Sequence, residues 1–254
     1  MPGSRRADFQ EPPDRLRLLA GPDRIALGGA LDDITTHHHA SPVIIVGLDR
    51  PLRLVAGRTH TSRAALIAPG FSHAVDVAGG RIAVFVLPPH AMSRAAMAPV
   101  ADLAHPGAWL ELGGALVRGA LTDFAPVDRA IACDRGARPI DDRLRRVLDA
   151  LRDRLDENLP IEVIAADVGL SPSRLMSLAH AQIGSSLRSV RRWLRTFAVV
   201  RDYAAGASLT TAALDAGFAS SSHLSAAARE HFGIRPSQIL SPRTRTAITF
   251  VPAP

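Results

Sequence analysis

The last hundred residues of this chain carry one pattern twice. Ala165-Ala166-Asp167-Val168-Gly169-Leu170 returns 48 positions on as Ala213-Leu214-Asp215-Ala216-Gly217-Phe218. A second stretch matches at an offset of 49, with Ser173, Leu175, Ala179 and Gly184 opposite Ser222, Leu224, Ala228 and Gly233. Each copy reads as a helix, a tight turn at Gly and a second helix, with the one-residue slip in the turn. Such a chain must bury one face of each of two similar helix pairs and hold the pairs apart by whatever lies between them.

In the first copy, residues 161–168 form a short helix that buries Ile164 and Ala165, and Gly169 supplies the positive φ of its closing turn. Ser171 caps the next helix, with Pro172 at its favoured first position. Leu175 and Leu178 face inward, which leaves Ser173, Arg174, Met176, Ser177 and His180 on the outer face. In the second copy Ser220 or Ser221 is the cap, and Leu224, Ala228 and Phe232 turn inward. Ser222, His223, Ser225, Ala226 and Arg229 then face out. A long helix over residues 186–205 joins the copies, with Leu187, Val190, Leu194, Phe197 and Ala198 as its core stripe and Arg188, Arg191, Arg192 and Arg195 beside it. Twenty helical residues span about 30 Å, close to the roughly 34 Å between successive major-groove faces on one side of a duplex.

Charge points the same way. All 30 basic residues are Arg, and the formal net charge is +6. Between Ser171 and Arg245 ten Arg stand against Asp202, Asp215 and Glu230, so a local +7 accounts for the whole excess. Guanidinium groups match phosphate and guanine with two parallel hydrogen bonds, and helix pairs of this kind place a reading helix in the major groove.

Gly169-Leu170-Ser171-Pro172-Ser173 with Leu175, then Arg192-Trp193-Leu194-Arg195, Gly217-Phe218 with His223-Leu224, and His231-Phe232-Gly233-Ile234-Arg235-Pro236-Ser237-Gln238 resemble the DNA-binding domain of AraC-type transcription regulators. The resemblance covers Leu144 to Leu240 and implies a bipartite helix-turn-helix domain. By the family's pattern Ser171, Ser173, Arg174, Met176, Ser177 and His180 of the first reading helix approach bases or phosphates. So do Ser221, Ser222, His223, Ser225, Ala226 and Arg229 of the second, with Arg192 and Arg195 on the joining helix. Arg195 matches a characteristic Arg whose role is structural or a phosphate contact. Ala179 and Ala228 depart from the family, which usually has Phe there, so packing at both places is thin. The second outer face also has few base-edge donors, and the first copy is expected to carry most of the discrimination.

The first half has a different texture. Short β-type runs at residues 25–27, 43–48, 52–55, 64–68, 74–77 and 82–87 are separated by turns, with Gly79-Gly80 as a hairpin turn between the last two. These predict a small antiparallel barrel or sandwich. Helical patterns at 92–103 and 106–121 would cover it or form a dimer surface. The fold class is α+β, with a cupin-like barrel and flanking helices followed by an all-α tandem helix-turn-helix domain. The boundaries run as a flexible arm over 1–20, a sensor or dimerisation domain over 21–124, an irregular linker over 125–140, the DNA-binding domain over 141–242, and a tail over 243–254.

His37 and His39 alternate onto one face of a strand, and His73 follows the Pro69-Gly70 turn, so the three could converge. The arrangement resembles the sensor domains of AraC-type regulators and, more loosely, cupins, whose metal site uses a His-x-His pair and a later His. The usual acidic cupin ligand is missing here, since Asp49 lies ten residues beyond His39 and no Glu occurs between His37 and His105. Backbone-bonded pocket histidines are the first expectation, and an effector or metal contact at His37, His39 and His73 is the second. No phosphate loop, nucleophile elbow or paired carboxylate site is present, and no cofactor is expected. The lone Cys133 cannot form an internal disulfide, and no apolar stretch is long enough for a membrane span.

The leading reading is a cytoplasmic regulator, not an enzyme, that binds double-stranded promoter DNA under control of a small-molecule effector. It would act as a homodimer or monomer, and meet RNA polymerase if it activates. The competing readings are a metal-dependent cupin-like enzyme with a helical accessory domain, and a dimeric DNA-binding regulator without an effector.

Overall fold

The computed structural model describes residues 16–92, 97–134, 140–242 and 247–251. Its first half is β-rich. Strands β1 (Arg17–Ala20), β2 (Ile25–Ala30), β4 (Val43–Gly47), β7 (Ala64–Ile67), β9 (Arg81–Val86), β10 (Val100–Asp102) and β11 (Ile248–Phe250) form one sheet in the order β10-β7-β4-β9-β2-β1-β11. Strands β3 (Ile34–His37), β5 (Leu52–Ala56), β6 (Arg58–Ser62) and β8 (His73–Asp76) form a second, ordered β3-β8-β5-β6. Apolar residues alternate inward from both sheets, and Ile34, Ile45, Leu54, Ile67, Val75 and Ile82 close a core between them. The other face of the large sheet is covered by α1 (Pro106–Val117), whose Trp109 is fully buried against Phe85 with ring centroids 5.3 Å apart.

Several expectations change at this level. Gly79-Gly80 joins strands that do not pair: β8 belongs to the small sheet and β9 to the large one. The turn therefore carries the chain between sheets, a distinction local turn chemistry does not make. Residues 92–103 do not give one continuous helix, since residues 100–102 are β10, paired to β7; residues 93–96 lie outside the described residues. Met92 and Met97 are buried in the core beneath α1.

The stretch read as an irregular linker holds α2 (Ala125–Asp134). Val127, Ala130 and Ile131 make a narrow apolar seam at helical spacing and pack with the core under α1, while Asp128 and Arg129 obscure the periodicity. Residues 135–139 of that linker lie outside the described residues. Of the arm, residues 1–15 are likewise outside, but residues 17–20 are β1. The tail also departs from expectation. Residues 243–246 and 252–254 are outside the described residues, while β11 runs parallel to β1, with Leu18 opposite Ile248 and Ala20 opposite Phe250. At β11 the chain thus returns to the first domain, and Leu18, paired with Ile248, is buried in the core that the sheet shares with the helices.

The second half is helical: α3 (Asp142–Asp153), α4 (Ile161–Asp167), α5 (Pro172–Ile183), α6 (Leu187–Ala204), α7 (Leu209–Asp215), α8 (Ser221–Phe232) and α9 (Pro236–Ile239). Asp141 caps α3, accepting a hydrogen bond from the Arg143 amide. The spacing of Leu144, Val147, Leu148, Leu151 and Leu155 predicts one helix ending at Asn158-Leu159-Pro160, and the first four do form its buried seam, but α3 stops at Asp153 and Leu155 is only partly buried beyond it. Trp193 and Phe197 of α6 meet edge to face at 4.3 Å and anchor the helical core. That core is continuous with the sheet, because Leu18, Ile25, Leu27, Val43 and Val86 belong to the same buried cluster as Val199, Val200 and Leu224.

Candidate nucleic-acid interface and inter-domain cavity

The two helix pairs are built alike. In the first, Gly169 adopts φ +66° and Ser171 accepts a hydrogen bond from the Arg174 amide at 3.3 Å, so the chain leaves α4 and enters α5 through one fixed turn. In the second, Gly217 adopts φ +80° and Ser220 accepts from the His223 amide at 3.1 Å. Of the two candidate caps, Ser220 is therefore the cap and Ser221 the first helical residue. Both reading helices end on a left-handed glycine, Gly184 and Gly233.

Burial of Leu175, Ala179 and Ile183 turns the opposite face of α5 outward, leaving Ser171, Ser173, Arg174, Met176, Ser177 and His180 all exposed. Met176 is 53% exposed, an apolar side chain held in water among polar neighbours, as suits a contact surface. On α8, Ser222, His223, Ala226 and Arg229 are exposed, and Ser221 and Ser225 are half-buried. The His223 ring stacks edge to face on Phe218, and its Nδ1 accepts from the Ala219 amide, so the turn itself orients it.

The arginines of α6 behave differently from a free basic stripe. Arg192 donates to the Glu230 carboxylate and to His231 Nε2 on α8. Arg195 donates to the Gly217 carbonyl at 3.3 Å and to Asn158 Oδ1 at 3.1 Å. Arg191 shares that Asn158 oxygen and also reaches the Leu159 carbonyl. Three of the four guanidinium groups thus tie the strut to α8, to the turn at Gly217 and to the segment before α4, while Arg188 is exposed. Asn158, at φ +47°, is the residue that sequence reasoning missed: its left-handed backbone aims one side-chain oxygen at two arginines, and Asn-Leu-Pro reads in sequence only as a helix end.

The second pair is docked on the β-domain. The amide and hydroxyl of Thr35 both donate to the Gly233 carbonyl, at 3.2 and 2.8 Å, and the His38 amide donates to the Glu230 carbonyl at 3.0 Å. A Cβ on Gly233 would stand 2.4 Å from the Thr35 oxygen and 2.7 Å from His37 Nδ1, so the seam closes only around glycine. Beside it lies an apolar cavity of about 110 Å³. Leu27, Val43 and Val86 line its sheet side, and Val199, Leu224 and Ala228 its helix side.

His37, His39 and His73 stand at this cavity, and all three are buried. Antiparallel pairing of β3 with β8 sets His37 directly opposite His73, and the Gly70 amide, donating to the His39 carbonyl at 2.8 Å, draws the third ring in. The His37 and His39 Nε2 atoms are 3.0 Å apart. His37 Nδ1 bonds the Thr35 carbonyl at 2.7 Å, and His73 Nδ1 bonds the Phe71 carbonyl at 3.0 Å. Burial, reinforced by the neighbouring rings, pushes the His37 pKa down to about 4 and that of His39 well below the usual imidazole range; burial also lowers that of His73. The expected convergence is therefore present, but β3 ends at His37, so His39 is held by its loop and the Gly70 amide rather than by strand alternation; backbone bonds are made by two of the three rings.

Two capped helix-turn-helix units carried on one strut define a DNA-binding domain. Residues 164–241 match a family model described as a helix-turn-helix domain. The matched stretch runs from within α4 to just beyond α9, so it takes in the strut and both reading helices. The whole chain also resembles solved structures of ToxT from Vibrio cholerae. One, from O395, has 11% identity and a TM-score of 0.57, covering 89% of this chain and 95% of that one. ToxT O395 bound to (E)-4-(8-methylnaphthalen-1-yl)but-3-enoic acid has 11% identity and a TM-score of 0.60, covering 86% and 98%. ToxT bound to an unsaturated fatty acid has 13% identity and a TM-score of 0.54, covering 89% and 93%. The likeness extends over both domains, so the β-domain shares the fold as well as the helical one. Comparison with curated proteins gives no match. Among the described residues no helix is long and apolar enough to cross a membrane.

Proposed function

We propose that the chain reads promoter DNA in the cytoplasm through the outer faces of α5 and α8, that it catalyses no reaction, and that a small apolar effector seated in the inter-domain cavity controls it. Ser173, Arg174, Met176, Ser177 and His180 supply most of the base discrimination. Ser222, His223, Ser225, Ala226 and Arg229 fix register and backbone contact, as do the helix starts at Ser171 and Ser221. Arg192 and Arg195 act from behind, by holding the reading helices on the strut.

The observation that carries the effector reading is the cavity at Ala228. Alanine stands on α8 where a larger residue would fill the space, and the cavity is lined from both domains. At about 110 Å³ it is smaller than the roughly 150 Å³ apolar cavity that holds one benzene ring. A larger ligand fits only as α8 moves off the sheet, so binding and undocking of the second reading helix are the same event, and the ligand prefers the separated state. The ToxT structures bound to an unsaturated fatty acid and to a naphthalenyl butenoic acid favour an apolar ligand of this kind.

Fluorescence anisotropy of the untagged chain on its own upstream DNA tests the reading. Affinity should fall steeply as salt rises and should exceed that for scrambled DNA. Ala228→Leu should retain DNA binding while losing its response to an apolar acid such as oleate. Equal affinity for matched and scrambled DNA would overturn the DNA assignment, and an unaltered oleate response in Ala228→Leu would overturn the cavity assignment.

A further inference from the structure

We infer that His37, His39 and His73 form a binding site for one divalent transition-metal ion of the zinc type. Each ring offers one nitrogen, and these lie within 4.8 Å of one another. The proton positions are what favour a cation. A neutral imidazole carries one N–H, and the Nδ1 atoms of His37 and His73 spend theirs on the Thr35 and Phe71 carbonyls. Their Nε2 atoms are therefore bare lone pairs. His73 Nε2 is buried without a hydrogen-bond partner. His39 Nε2, 3.0 Å from His37 Nε2, either gives its proton to that ring or, once the proton moves to His39 Nδ1, presents a third lone pair. His39 Nδ1 is itself buried and unbonded, so the second tautomer loses no existing contact at that atom.

The spacing of the closest pair suits a metal, and the third ring lies near enough to close on the same ion by a small rotation. Two imidazole nitrogens bound to zinc at about 2.0–2.1 Å with a tetrahedral angle are about 3.4 Å apart, a few tenths of an ångström from the separation of His37 and His39. Anchoring the second ring nitrogen on a backbone carbonyl, as at His37 and His73, is the usual support for a metal-ligating histidine. Imidazole donors favour zinc, nickel, cobalt or copper over magnesium or calcium. All three rings line the inter-domain cavity, so a fourth ligand would be water or a group entering that cavity. The site is made by the β-domain alone and does not depend on the DNA-binding assignment.

Titration calorimetry of the untagged full chain, stripped with chelator and then given Zn²⁺, tests the site. One ion per chain should bind, and Co²⁺ in its place should give the intense visible absorption of a low-coordinate ion rather than the weak bands of the hydrated one. His73→Gln and His39→Gln should each weaken Zn²⁺ binding by more than about 100-fold, since even the outer partners of such ligands are worth 10–100-fold. His60→Ala, at a half-buried histidine on β6 paired with Asp102 and outside the cluster, should leave affinity unchanged. Absence of stoichiometric binding to the wild-type chain would overturn the inference without recourse to any variant. So would affinity that survives in the folded His37→Gln/His39→Gln/His73→Gln protein, with folding checked by circular dichroism.

Discussion

The two helix-turn-helix units share a template and differ in what lies behind them. Both have a glycine turn, a serine cap and a left-handed C-terminal glycine. Behind α5, Ala179 is fully buried in a closed core. Behind α8, Ala228 borders a cavity, and the helix end is hydrogen-bonded to β3. The comparison teaches that the repeat supplies two similarly built readers, and that docking hydrogen-bonds the end of the second to β3 beside a cavity, whereas the end of the first only packs against the turn at Gly70.

The strongest way to break this comparison is at the glycines. Gly169→Ala meets no atom within 4 Å and should cost only the left-handed backbone penalty of about 1–2 kcal/mol. Gly233→Ala adds a collision with Thr35 and Ile34, and should cost about 3 kcal/mol or separate the domains outright. Urea unfolding with limited proteolysis between the domains reads both, and equal losses at the two sites would remove the docking argument.

Next in size is Arg174→Ala, which should reduce the preference for matched over scrambled operator by about 1–3 kcal/mol, the value of one bidentate base contact. Ser222→Ala should change that preference by less than about 0.5 kcal/mol. Competition gel shifts decide between them, and a larger effect at Ser222 would reverse the order of the readers.

The alanines give a comparison of sign. Ala179→Leu overpacks a closed core and should destabilise by about 1–3 kcal/mol. Ala228→Leu fills space already present and should stabilise by about 1 kcal/mol, at roughly 0.8 kcal/mol per methylene buried less the entropy of fixing the side chain. Thermal unfolding of the two proteins would show opposite shifts in Tm; shifts of the same sign would mean that the cavity does not distinguish the copies.

Smallest of all should be the difference between the caps. Ser171→Ala and Ser220→Ala each remove one N-cap bond worth about 1 kcal/mol, and should differ by less than about 0.5 kcal/mol. Unequal losses in chemical denaturation would show that docking reaches even the turn.

Much of the helical domain was legible because its signals are local. Gly169, Ser171 and Pro172 specify their turn through φ, cap geometry and a missing amide, all within a few residues. The outward faces followed from the spacing of Leu175 and Leu224. The roles of Arg192 and Arg195 were less legible, because an arginine on a helix looks the same whether it faces solvent or a carboxylate from another helix; Glu230 and Asn158 decided it, 38 and 37 residues away. In the β-domain, strands rich in Val and Ile were visible, but β3, with Thr35-Thr36-His37, and β6, with Arg58-Thr59-His60, carry too few apolar residues to show. Pairing with neighbours makes them strands.

The sequence by itself determined the duplicated helix pairs, their caps and turns, the basic character of the second half and the presence of three histidines that strand alternation and a turn could bring together. These depend on interactions between near neighbours, which a linear pattern records. Tertiary structure alone decided that Gly79-Gly80 passes between sheets, that the tail returns as β11, that α8 rests on Thr35 through Gly233 and that a cavity opens at Ala228 rather than Ala179. Each of these turns on which surfaces meet. Two alanines identical in sequence acquire different surroundings only when one of them faces a second domain.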